Sequence, residues 1–135
     1  MLRPETRARA HALQLLYAWE LQGCPDFRGV ARGLACGPGP STDPRALALA
    51  SAVAADPARL DHEITQAVEH WRMERLGVVE RIILRVGVRE LLDDTTPAPV
   101  VIDEAVRIAR WFAGDRAPAF VNGVLDAVAR RLHRL

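Results

Sequence analysis

Apolar residues return every three or four positions along most of this 135-residue chain, the spacing of helices with one buried face. Ala8, Ala12, Leu15, Leu16 and Trp19 make the first stripe, with Thr6 as its cap and Gly23 as its stop. The stretch CPDFRGVARGLACGPGPSTDP interrupts the pattern. Rich in Gly and Pro and poor in large apolar residues, it predicts a long, flexible loop at about 24–43, with a short helical piece around Val30 to Leu34. Asp43-Pro44 and Asp56-Pro57 each read as a cap followed by a first helical residue. The former opens a small helix from about Pro44 to Ala54, the latter a stripe of Leu60, Ile64, Ala67, Val68 and Trp71. Gly77 separates that stripe from Val79, Ile82, Ile83 and Val86, which continue through Leu91 and Leu92. Thr95, Thr96, Pro97 and Pro99 form the next boundary. Val101, Ile102, Ala105, Ile108, Ala109 and Phe112 follow, closed by Gly114, and Asp115 to Pro118 open the last helix. No segment reads convincingly as a strand. The expected fold is all-α, a compact helical bundle of about six to seven helices in a single domain.

One dipeptide resists this reading. In FVNGVLDAVARRL, Asn122-Gly123 is a strong hairpin-turn signal. Yet Val121, Leu125, Val128 and Leu132 hold helical spacing straight through it, so the helix reading prevails. Gly inside a helix costs about 1 kcal/mol against Ala, which asks for another reason for the pair. Gly permits a close approach of another backbone, and Asn offers two donors and an acceptor on a short stalk.

Composition narrows the chemistry. Half the residues are hydrophobic and 26% are charged, with a formal net charge of +1, so an anionic partner has to be met by a local patch. All basic residues are arginine. Without lysine there is no Schiff base and no phosphate-loop lysine, and every cation is a planar fork suited to phosphates and to stacking on bases. Cys24 and Cys36 fit no usual zinc or redox spacing. The N-terminal stretch MLRPETRARAHAL carries no apolar signal core, and no stretch approaches a membrane span; a cytoplasmic protein with free thiols is expected. His62-Glu63 begins a zinc-protease motif that fails at Gln66. His62 and His70 are eight positions apart and read as solvated, as do His11 and His133. Asp93-Asp94 falls at a helix end, and Asp103-Glu104 in first turns, where the helix dipole favours acids. No catalytic set, metal site or cofactor is expected, and nothing suggests an enzyme.

Surfaces remain. Arg3, Arg7 and Arg9 cluster with Glu5 as sole opposing charge, ahead of Gln14 and Tyr17. Arginines with a nearby aromatic suit single-stranded RNA through phosphate neutralisation and stacking; a solvated helix start with Tyr17 in the core is the plainer alternative. Arg72, Arg75, Arg81, Arg85 and Arg89 alternate with Glu74, Glu80 and Glu90. Such spacings allow salt bridges along a solvated face or a charged docking surface for a protein.

RARAHALQLLYAWEL, VERIILRVGVREL, VVIDEAVRIARWF and FVNGVLDAVAR resemble, in this order, the first, fourth, fifth and most recognisable helical stretches of the NusB family of bacterial transcription antitermination factors. The resemblance covers residues 3 to 23 and about 58 to 133. It implies one NusB-like RNA-binding domain over 1–135, built of two three-helix subdomains, that binds rather than catalyses. The implied partners are single-stranded boxA RNA of ribosomal RNA leaders, the ribosomal protein S-ten (NusE) and the RNA polymerase antitermination complex. Carried over, RNA contacts fall at Arg3, Arg7, Arg9, Gln14 and Tyr17, and at Arg116, Phe120 and Asn122. Partner contacts fall at Glu80, Arg81 and Arg85. The family resemblance admits a homodimer as well as a monomer.

Departures from the family pattern bear on the RNA. Glu5 and Thr6 stand within a usually denser basic run, Asp103 replaces the usual Asn, and Arg116 stands where an acid is common. An RNA-binding module related to the N-terminal domain of ribosomal-RNA cytosine methyltransferases, and a protein adaptor that has lost RNA recognition, stay as alternatives.

Overall fold

The computed structural model describes residues 3–35, 43–69 and 76–135. Cys36, the GPGP run at 37–40, His70, Trp71, Arg72, Glu74 and Arg75 lie outside the described residues. Seven helices occur among those described, and no strand: α1 (Pro4–Leu21), α2 (Phe27–Ala35), α3 (Pro44–Ala55), α4 (Pro57–Ala67), α5 (Val78–Asp93), α6 (Ala98–Phe112) and α7 (Ala117–Arg131). The chain divides into two compact units, Met1–Ala55 with α1 to α3 and Asp56–Leu135 with α4 to α7.

In the first unit, α1 buries the expected stripe of Ala8, Ala12, Leu15, Leu16 and Trp19. Its N-cap is Arg3 with Pro4 at the first position, and Thr6 is fully buried one turn in, so Thr6 does not cap the helix. Gly23 ends the helix as expected. At φ +81° it donates to the Glu20 carbonyl, while Cys24 donates to that of Trp19, the paired bonds of a Schellman stop. The expected loop at 24–43 contains a full helix, α2, longer than the short piece read around Val30–Leu34. The Asp26 carbonyl accepts from Gly29 and Val30 at its start. Phe27, Val30 and Ala31 are buried along one side. Trp19 holds this start from two directions: its indole N–H donates to the Pro25 carbonyl at 2.7 Å, and its ring meets Phe27 edge-on at 6.2 Å. Asp43 accepts from the Arg45 backbone N–H at 2.8 Å. That bond first, then the Arg45 guanidinium, holds the Asp43 carboxyl below its ordinary 3.8. The resulting stabilisation is complete above that value and fades as pH falls below it.

The second unit starts at the other Asp-Pro signal, where Asp56 accepts from the Arg59 N–H at 3.2 Å. Its core collects Leu60 and Ile64 from α4, Ile82, Leu84, Val88 and Leu91 from α5, Val101 and Ile108 from α6, and Val121, Leu125 and Val128 from α7. A Cβ on Gly87 would stand 2.8 Å from Leu125 Cδ1, so this glycine, rather than Gly123, is what lets two helices, α5 and α7, approach closely. Arg85 forms a two-pronged ion pair with Asp61, each bond 2.8 Å, and ties α5 to α4. Arg134 folds back from beyond α7 onto the end of α5. It donates to the carbonyls of Leu91 and Thr96 and pairs with Asp94, the left-handed cap of α5.

Candidate nucleic-acid interface

A first patch, on α1, follows from helix geometry. Successive residues turn by about 100°, so Arg3, Arg7, Gln14 and Tyr17 fall along one side. All four are solvent-exposed, and Tyr17 keeps 40% of its surface accessible. Among the described residues none of these four side chains has an internal hydrogen bond or ion pair. Tyr17 is therefore not a core residue, and exposed Leu21 extends the same side. Arg9 sits about 200° from Arg7 around the helix. It falls within the apolar arc, only 9% exposed and already engaged inside the fold.

A separate patch, on α7, shows why a helix tolerates Asn-Gly. Asn122 and Gly123 are both exposed, and Asn122 has no internal side-chain partner among the described residues. A Cβ on Gly123 would meet nothing within 4 Å. The missing side chain leaves room toward solvent, not toward a neighbouring helix. Gly123 belongs to a shallow apolar hollow of about 430 Å³ between the end of α4 (Ala67, Val68) and α7 (Ala119, Phe120, Ala127). Half-buried Phe120 forms one wall. Arg116, the exposed N-cap residue of α7, stands one turn before it. The α1 patch thus offers cations, an aromatic ring and an amide with no side-chain partner among the described residues, and the α7 patch offers a cation, a half-buried ring and an amide: surfaces suited to a flexible, negatively charged, base-bearing strand.

The residues implied for a protein partner divide. Glu80 lies half-buried in the first turn of α5 with Arg81 beside it, and Arg81 has contacts of its own. The Arg85 fork is already filled by Asp61.

Several of the candidate carboxylates are held in ion pairs. Glu63 pairs with Arg131 at 2.6 Å, Asp93 with Arg89 at 2.8 Å and Asp94 with Arg134 at 2.9 Å. Asp103 is exposed and Glu104 is buried with a contact of its own. Among the described residues no group of three or more His, Cys, Asp or Glu side chains is placed to hold a metal ion, and no helix is long and apolar enough to cross a membrane. Sequence reasoning passed over Trp111, which is exposed at the end of α6 beside Phe112. The signal was available: Trp111 is one turn on from Arg107 and off the apolar stripe.

Comparison with known proteins agrees over nearly the whole chain. The sequence profile of the NusB family matches residues 6–130. The transcription antitermination protein NusB of Solibacter usitatus is 42% identical over 129 residues, covering 93% of this chain and 88% of that protein. Its counterpart in Sorangium cellulosum is 40% identical, covering 94% and 92%. Among solved structures, NusB of T. maritima superposes with a TM-score of 0.81 at 28% identity, covering 96% of this chain and 93% of that one. A chain in a crystal structure of the antitermination factors NusB and NusE with double-stranded RNA gives 0.76 at 29%, covering 97% and 99%.

Proposed function

The chain belongs to the NusB family, and from that premise we propose that it is a transcription antitermination factor, binding single-stranded boxA RNA of ribosomal RNA leaders together with the ribosomal protein S-ten (NusE). It acts in the cytoplasm as part of the RNA polymerase antitermination complex, and its work is binding rather than catalysis. The single observation that carries the RNA reading is the row Arg3, Arg7, Gln14 and Tyr17 along α1 and its cap, exposed and with no side-chain partner among the described residues. Guanidinium groups neutralise phosphates, Tyr17 offers a ring face to a base, and Gln14 offers an amide. On α7, Arg116, Phe120 and Asn122 supply the same three chemistries. Glu80 and Arg81 are proposed to meet the ribosomal partner. Burial of Arg9 and the Asp61 pairing of Arg85 favour structural roles for those two.

Fluorescence anisotropy of a labelled boxA-like RNA tests this, with a scrambled RNA as control, each with and without the cognate S-ten protein. Sequence-dependent binding that tightens with the partner is expected. Phosphate contacts by Arg3, Arg7 and Arg116 set a slope of log affinity against log salt of roughly −2, at about 0.7 per contact for single strands. Equal affinity for both RNAs in both mixtures would leave a protein adaptor without RNA recognition.

A further inference from the structure

Six of the ten described arginines of the second unit are occupied. Arg85, Arg89, Arg130, Arg131 and Arg134 stand 2.6 to 2.9 Å from carboxylates, and Arg81 has contacts of its own. Among the described residues, Arg59, Arg107, Arg110 and Arg116 have no hydrogen bond or ion pair through their side chains. Of these, Arg107, Arg110 and Arg116 belong to the end of α6 and the start of α7. Arg107, Arg110 and Trp111 are spaced three and four residues apart, so they share a side of α6, and all are exposed. Trp111 and Phe112 keep 44% and 46% of their surfaces accessible and meet edge-on with centroids 6.4 Å apart. Among the described residues, two of the three exposed aromatic side chains, Trp111 and Phe112, thus stand next to unpaired cations.

We propose that this corner, Arg107, Arg110, Trp111 and Phe112 leading to Arg116, is a second contact for single-stranded nucleic acid, one that takes nucleotides flanking the recognised core. The inference rests on the RNA reading above and extends it beyond the residues named there. Trp111 presents a base-sized π face, and Arg107 and Arg110 on the same side neutralise the adjoining phosphates. Stacking is indifferent to base identity, so the corner adds affinity for length without adding sequence preference. Asp103, a turn before Arg107, and Asp115, beside Arg116, are also exposed; they limit the positive field to the corner itself and disfavour an acidic protein laid along the whole of α6. Unpaired guanidinium groups around an exposed indole suit a phosphate-linked chain of bases better than an apolar protein surface, which would bury those charges without partners.

The test uses the full chain with the S-ten protein and two labelled RNAs: a boxA-like core, and the same core carrying five adenines at either end. The wild type is expected to bind an extended RNA roughly tenfold more tightly than the core, the range of one stacked base with its phosphates. Trp111→Ala, and separately Arg107→Gln with Arg110→Gln, should remove that gain and leave core affinity unchanged. The arginine pair should also lower the salt slope for the extended RNA by about 1.4, at about 0.7 per contact. Trp111→Phe, which keeps a ring, should retain most of the gain. Equal affinity of the wild type for core and extended RNA would overturn the inference and leave the core reading standing. No binding of the core would overturn both. Loss of S-ten association or a change in oligomeric state in Trp111→Ala, with the RNA length effect intact, would make the corner a protein-docking surface and overturn the proposal.

Discussion

Two neighbouring arginines of α1 have opposite fates. Arg7 faces solvent and Arg9 lies in the buried arc. Replacing Arg7 by Ala should weaken RNA binding roughly tenfold, the worth of one charge-assisted contact, and leave thermal unfolding unchanged. Arg9→Ala should cost about 2 kcal/mol of stability through its buried stem and lost polar contact, seen as a lower urea midpoint. A normal midpoint in Arg9→Ala would return Arg9 to the interface. Gly123 gives a sharper separation. Open space surrounds its missing Cβ, so Gly123→Ala should stabilise the helix by about 0.5–1 kcal/mol. If a strand uses that space, the same substitution weakens RNA binding, so stability and affinity move in opposite directions. Unchanged affinity would remove Gly123 from the interface.

The ion pair between Arg85 and Asp61 joins α5 to α4 with side chains only 12% and 25% exposed. Such a pair lies between an exposed bridge and a fully buried one, so Arg85→Ala should cost about 2 kcal/mol, read by denaturant unfolding. A cost below about 0.5 kcal/mol would mark an ordinary surface position. At this scale legibility was uneven, for physical reasons. Both Asp-Pro starts were readable because cap and first-turn geometry involve neighbours in sequence. Helix α2 was obscured because Phe27, Val30 and Ala31 are set among glycines whose low helix propensity is overridden by packing on Trp19. Arg85 looked available because its partner lies 24 positions away on another helix. In the sequence Gly123 stands out as the candidate for a close approach, whereas the tight approach belongs to Gly87, whose need depends on what α7 brings against it. Arg7 and Arg9 read as one cluster in the sequence; a turn of about 100° per residue puts them on opposite sides of α1.

Across the whole molecule, charge is nearly balanced and wholly arginine on the positive side. RNA affinity should therefore stay flat between about pH 7 and 9, because guanidinium groups keep their protons well beyond that range; anisotropy titrations across it check this. A marked fall would point to a titrating group that the arginine reading omits. The family was legible from helical stretches in order, since those stretches combine core spacing with an exposed Asn-Gly that packing does not require. The division of arginines into occupied and unpaired was not, because it is a property of contacts between helices.

Arg134 ties two distant parts of the second unit, reaching the carbonyls of Leu91 and Thr96 and the Asp94 carboxylate. The last turn of a helix ordinarily frays, and its amides exchange with solvent faster than those of the core. Here the turn after α7 can open only by releasing the end of α5, so the two segments should exchange their amide hydrogens as one cooperative unit. Arg134→Ala would uncouple them, with exchange around Leu132 and His133 rising to the rate of a free helix end while the middle of α5 keeps its protection.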